Sequence, residues 1–200
     1  MGDIPRPPDA QLFLSLGRKQ FGVQQVLDAG GADFAPDLAR VAMRYALAHE
    51  HICDNKNQSA SACLMWDGKV ATWGRASVGG DSASVQAQLT GVESIASTNG
   101  AFAAQTSEGK VVTWGDADYG GDSASVQAQL TGVESIASTA FGAFAAKTSE
   151  GKVVTWGDAY WGGDIASVQA QLTQVLHLSS SRDTFTATLR DGSKVSWPGQ

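Results

Sequence analysis

Apolar and polar positions alternate over short runs along most of this chain. In KVVTWG (residues 110–115), Val112 and Trp114 fall on one side of an extended strand and Val111 and Thr113 on the other. Both sides suit burial, which predicts a strand held between two neighbouring sheets. Just upstream, GVESIAS (91–97) and AFAAQT (101–106) are further β-prone runs bounded by turn residues, so three strands are expected in this stretch. The last two are joined by SEG, where Gly109 suits the positive φ of a tight hairpin. Gly68, Gly151 and Gly192 stand at the same distance before a tryptophan, so the hairpin is expected four times.

The whole pattern recurs. Residues 79–98 (GGDSASVQAQLTGVESIAST) return letter for letter at 120–139, and Trp73, Trp114, Trp156 and Trp197 are spaced by 41, 42 and 41 residues. A period of about 40–45 residues is that of propeller blades, because one small sheet cannot bury both faces until it stacks on a neighbour. The expected fold is mainly β: about four three-stranded, propeller-like blades in a partial or open β-propeller, with one inserted α-helix. Between blades, residues 126–130 read as a helical turn with Ser125 as its N-cap. Residues 1–20 form a lead-in and 21–200 the repeat domain. The first blade is read as split, with GVQQVLDAG (22–30) and ACLMWDGKVATWG (62–74) as its parts and a helical insertion at about 31–58 between them. Within that insertion Leu38, Val41, Ala42 and Tyr45 fall at helical spacing behind Pro36.

Composition narrows the function classes. With 42% hydrophobic and 17% charged residues the chain reads as globular, and its formal net charge is −6. Its Lys and Arg residues are scattered (Arg18, Lys19, Lys56, Lys69, Lys110, Lys147, Lys152), so no basic stripe exists to track a phosphate backbone and nucleic acid is not expected as a partner. The longest apolar runs fall far short of the roughly 20 residues that span a bilayer, and MGDIPRPPDAQ contains no signal-like core, which leads to a cytoplasmic expectation with no membrane partner. Cys53 and Cys63 are too few for a disulfide framework.

The run AFAAKTSEGKVVTWGD (143–158) and the GGD at 162–164 resemble the repeat of the regulator of chromosome condensation family. That repeat carries an aromatic or apolar pair, a DG or EG turn, and a V-x-x-W-G strand leading into a Gly-rich loop. The resemblance spans roughly residues 22–197, and the unit's length is similar to the compact three-stranded blades of the secreted bacterial β-lactamase inhibitor of this superfamily. Known members form closed seven-bladed propellers, whereas four units leave an arc with two open faces. A piece of a longer propeller, a self-associating arc, and an arc capped by the inserted helix and N-terminal segment all fit this count. The resemblance implies a noncatalytic protein-interaction module that binds through inter-blade loops. It is also compatible with a guanine-nucleotide exchange factor like the founding chromatin member. A third reading is the substrate-recruiting part of a larger HECT-type ubiquitin ligase.

The copies differ mainly in the loop after WG, which reads RASVGGD, DADYGGD and DAYWGGD. Arg75, Asp116 and Asp158 share one position, Ser77, Asp118 and Tyr160 a second, and Val78, Tyr119 and Trp161 a third. Loops varied on a fixed scaffold are where binding surfaces are made, and Tyr and Trp are effective anchors. Asp116, Asp118, Tyr119, Asp158, Tyr160 and Trp161 are therefore the candidate contacts for a protein partner of unknown identity, with self-association as an alternative. The plain alternative is that the rings close the gap between adjacent sheets. A calcium loop at DADYGGD fits poorly, because an EF-hand needs an oxygen ligand where Gly120 stands and a Glu where Gln127 stands. In HEHICD (49–54) a continued helix would align only His49 and Cys53, two ligands where structural zinc needs four, so a solvated helix end is expected. Asp67 and Asp191 suit hairpin turns, and His177 has no evident catalytic partner. With no nucleophile elbow, phosphate loop or dinucleotide fingerprint, no catalytic residue, metal or cofactor is expected.

Overall fold

The computed structural model describes residues 51–56, 58–65 and 67–198, all within the second of two units (His51–Gln200) into which the chain divides. Twelve strands lie among them, grouped in four antiparallel sheets of three. The first sheet holds β1 (His51–Asp54), β2 (Ala60–Leu64) and β3 (Val70–Gly74). The second holds β4 (Val92–Ser97), β5 (Ala101–Thr106) and β6 (Val111–Gly115). The third holds β7 (Val133–Ser138), β8 (Ala143–Thr148) and β9 (Val153–Gly157). The fourth holds β10 (Val175–Ser180), β11 (Thr184–Leu189) and β12 (Lys194–Pro198). The sheets stack in chain order without closing into a ring.

Period-two alternation buries each inner sheet twice. Phe102, Ala104, Val112 and Trp114 pack with Ala60, Ala62 and Val70 of the first sheet, while Ala101, Ala103 and Val111 pack with Phe144, Ala146, Val154 and Trp156 of the third. The third junction repeats this with Ala143, Ala145 and Val153 against Phe185, Ala187 and Trp197. Each sheet thus offers a face of small residues to the large residues of the next, and each fully buried Phe contributes roughly 1.5–3 kcal/mol. Phe102, Phe144 and Phe185 stand opposite Trp114, Trp156 and Trp197 in register, with stacked ring centroids 5.3, 5.3 and 5.4 Å apart. In the first sheet Ser61 occupies the position opposite Trp73.

Bulges at Glu93, Glu134 and Leu176 insert one extra residue into β4, β7 and β10. They turn Val92 and Ile95, three residues apart, into the same core layer, as they do Val175 and Leu178. At the hairpins Gly68, Gly109, Gly151 and Gly192 have φ of +76°, +70°, +74° and +86°, as the turn requires. The Asp67 and Asp191 carboxylates accept the amides two residues on, at 3.1 and 2.9 Å.

Three expectations change. The first sheet takes its first strand from His51–Asp54, inside the stretch read as an insertion, and this strand pairs along its length with β2. The insertion read at about 31–58 lies outside the described residues up to position 50, as do the segment 22–30 and the lead-in 1–20. Cys53 accordingly sits on a strand and not on a helix end, half-buried, and burial pushes its thiol pKa above the ordinary value. Finally, the inter-blade turn is a 3-10 turn (Gln127–Gln129) whose N-cap is Val126, and Ser125 caps nothing. Ser123 has the local role instead: its hydroxyl donates to Gln127 Oε1 at 2.9 Å, and Gln127 Nε2 donates to the Val111 carbonyl at 3.1 Å. Among the described residues no helix is long and apolar enough to cross a membrane.

Candidate interaction site

The loop after each WG begins with a short 3-10 turn: Ala76–Val78, Ala117–Tyr119 and Ala159–Trp161. Asp116 and Asp158 cap the second and third, accepting the amides of Asp118 (3.0 Å) and Tyr160 (2.8 Å). Arg75 cannot cap; its Nε donates to Ser77 Oγ at 3.0 Å instead. Each turn ends on a glycine with positive φ, Gly79 (+97°), Gly120 (+88°) and Gly162 (+101°). These glycines lie directly on the phenylalanine of the next sheet: a Cβ on Gly120 would stand 2.7 Å from Phe144 Cδ2. Their carbonyls accept the indole N–H of that sheet's tryptophan, Gly79 from Trp114 (3.0 Å), Gly120 from Trp156 (3.1 Å) and Gly162 from Trp197 (3.3 Å). The loop is therefore a fixed part of the blade contact that presents its 3-10 turn outward. Among the described residues, Trp73 has no such loop before it and its buried Nε1 has no acceptor.

The six candidate residues separate by place. Asp116 and Asp158 are caps, half-buried, and Asp118 is exposed. Tyr119 packs against the core between the second and third sheets, over Gly100, where a Cβ would stand 2.8 Å from its Cγ. Trp161 packs in the same way against the core between the third and fourth. Tyr160 is 59% exposed. The gap-filling role thus holds for Tyr119 and for part of Trp161, and Tyr160 is left facing solvent.

The third loop belongs to a larger assembly. Phe141 lies tilted against Trp161 with centroids 4.3 Å apart and an interplanar angle of 31°, Tyr160 meets Trp161 edge-on at 4.9 Å, and the Arg182 guanidinium lies 4.9 Å above the Phe141 ring. Backbone bonds fix the frame, Ala140 N–H donating to the Arg182 carbonyl (2.7 Å) and Thr139 Oγ1 to the Trp161 carbonyl (3.2 Å). The copies 79–119 and 120–161 differ at only four places: Asn99 against Ala140-Phe141, Gln105 against Lys147, Asp118 against Tyr160, and Tyr119 against Trp161. Three of the four meet in this one ladder. Phe141 and Arg182 were not among the residues singled out from sequence, although the extra residue in STAFG against STNG was the visible sign of the first.

Elsewhere, Lys56 Nζ donates to the Ser138 carbonyl at 2.8 Å, linking the first sheet to the third, and burial lowers its pKa from the usual lysine value. The hairpin pairs Lys110–Glu108 (2.6 Å) and Lys152–Glu150 (2.7 Å) are exposed and contribute little. Among the described residues no three His, Cys, Asp or Glu side chains gather as a metal-binding group. The Asp122 carboxylate accepts the Ala124 amide at 2.8 Å, in its own turn.

Four stacked three-stranded sheets, each locked to the next by a Trp indole on a Gly carbonyl, are consecutive blades of a β-propeller. Their fold is that of the solved structures to which the chain is similar. The chain is similar to Prp20p from Saccharomyces cerevisiae, in the structure describing its binding properties to Gsp1p and histones, with a TM-score of 0.51 and 18% identity over 70% of this chain and 42% of that one. It is likewise similar to yeast RCC1 (Prp20) bound to Kap60, with a TM-score of 0.53 and 18% identity over 70% of this chain and 41% of that one. Human WBSCR16 gives a TM-score of 0.48 and 18% identity over 74% of this chain and 47% of that one. The chain thus spans less than half the length of the structures it matches. No family model matches it, and no curated protein does either.

Proposed function

We propose that this chain is a noncatalytic protein-interaction module that binds a protein partner through its inter-blade loops, with the Phe141–Trp161–Tyr160 ladder and Arg182 as the principal contact. The observation that carries the reading is that three of the four differences between two otherwise identical copies converge there, on a blade scaffold left unchanged. Tyr160 is exposed while Phe141 and Trp161 are half-buried and held by packing, so the ladder binds at small entropic cost, and a guanidinium over a ring keeps its donors for a partner. The yeast proteins that share this fold bind Gsp1p, histones and Kap60, which agrees with such a role. Asp158 acts here as the cap that holds Tyr160 in place, while Asp116, Asp118 and Tyr119 form the equivalent, less aromatic loop one blade earlier.

The test is a photo-crosslinking residue placed at position 160 of the full chain and, as a control, at Thr188. A discrete heterologous adduct from position 160, absent from 188 and lost on Phe141→Ala, supports the reading. No adduct at 160, or the same adducts from both positions, overturns it.

A further inference from the structure

The outer face of the fourth sheet breaks the rule that builds the other three junctions. In the second and third sheets, the face toward the next sheet is set by Ala96, Ala101, Ala103 and Val111, and by Ala137, Ala143, Ala145 and Val153. The Ala101, Ala103, Ala143 and Ala145 side chains are fully buried, and Val111 and Val153 nearly so. In register, the fourth sheet carries Ser179, Thr184, Thr186 and Lys194 at these positions. Ser179 and Lys194 are exposed and both threonines half-exposed. The hydroxyls are engaged within the sheet, Thr186 Oγ1 with Ser196 Oγ at 2.9 Å and Ser179 Oγ with the Thr186 carbonyl at 3.3 Å, so the face is satisfied without a neighbour.

A second observation is independent of those side chains. Gly74, Gly115 and Gly157 leave their sheets with φ of +102°, +107° and +93°, the turn that carries the chain into the loop lying on the next sheet. Pro198 occupies that position in the fourth sheet, and its ring confines φ to about −65°. A proline cannot adopt the positive φ with which the other three sheets enter that loop.

We propose that the fourth sheet carries a polar capping face, built for solvent, that does not receive a blade of this type from a second copy. A repeat stack needs such a polar end face to stay soluble. The stack then has a direction, and self-association through this face is excluded, so any partner engages the loops or another surface.

Two measurements on the full chain test this. Restoring the internal residues (Ser179→Ala, Thr184→Ala, Thr186→Ala and Lys194→Val together) should make the mass from light scattering climb with concentration over a range in which the parent chain's mass is constant. A variant whose mass stays constant with the parent's overturns the idea that these side chains close the face. Separately, Ser179→Cys and Thr186→Cys should react with a maleimide, read by peptide mass spectrometry, within about tenfold of an unhindered thiol. Protection far beyond that in the parent background shows the face covered and overturns the cap.

Discussion

Replacing Trp156 by Phe should cost far more than replacing Trp73 by Phe, although both sit at the same position of their blades. The Trp156 indole donates to the Gly120 carbonyl at 3.1 Å, and its ring stacks on Phe144 with centroids 5.3 Å apart. Phe keeps part of the stacking and removes the donor, leaving a carbonyl without its partner in a buried contact, a cost of about 1–3 kcal/mol before any loss of packing. At Trp73 the donor is buried without an acceptor among the described residues, so its removal relieves a penalty of similar size and offsets the lost area. The two variants should differ by about 2–6 kcal/mol. Urea unfolding followed by circular dichroism measures this directly, and each kcal/mol corresponds to roughly 2–4 °C in Tm for a domain of this size. Equal destabilisation, or a larger loss for Trp73→Phe, would show that the indole-to-carbonyl lock does not hold the blades together.

Gly120→Ala should be severely destabilising, because positive φ combines with a Cβ 2.7 Å from Phe144, while Gly192→Ala, also at positive φ but with nothing within 4 Å, should cost only about 1 kcal/mol; thermal melts distinguish them. Trp161→Ala should lower stability by about 2 kcal/mol, since the ring is half-buried in the last junction, whereas Tyr160→Ala should leave the melt unchanged and weaken only partner binding. The Cys53 thiol is raised above 9.0 by burial, so its contribution is fully present below pH 9 and lost as the pH rises through the folded-state value. Cys53→Ser should therefore lose less stability than the parent as the pH rises above 9.0, read in denaturation midpoints taken on either side of that pH.

The strands of the second and third blades were legible because alternation, turn glycines and exact duplication all pointed to the same boundaries. β1 was missed because HICD lacks the Gly-Val opening of the other first strands, and GVQQVLDAG carries it. Ser125 looked like a cap only under an α-helical reading; in a 3-10 turn the hydroxyl of Ser123 is the one in reach. The loop residues were found as departures from the repeat, but their division was not, since whether Tyr119 lies on Gly100 or reaches solvent depends on a contact across the blade. Phe141 and Trp161 are twenty residues apart, and Arg182 comes from the next blade, so no local pattern joins them. The polar end face was present in TFTATL and KVSW but means nothing until register shows which side of the sheet each residue faces.

The acceptor for each tryptophan is a main-chain oxygen, and this decides what mutation is free to do. Every amino acid supplies the same carbonyl, so the indole bond itself makes no demand on the four side chains that precede its glycine, of which only the last, Val78, Tyr119 or Trp161, also packs against the core. Arg-Ala-Ser-Val, Asp-Ala-Asp-Tyr and Asp-Ala-Tyr-Trp all end in the same joint. A fresh duplicate of the unit would therefore arrive mechanically complete, with its outward turn open to rewriting from the first generation.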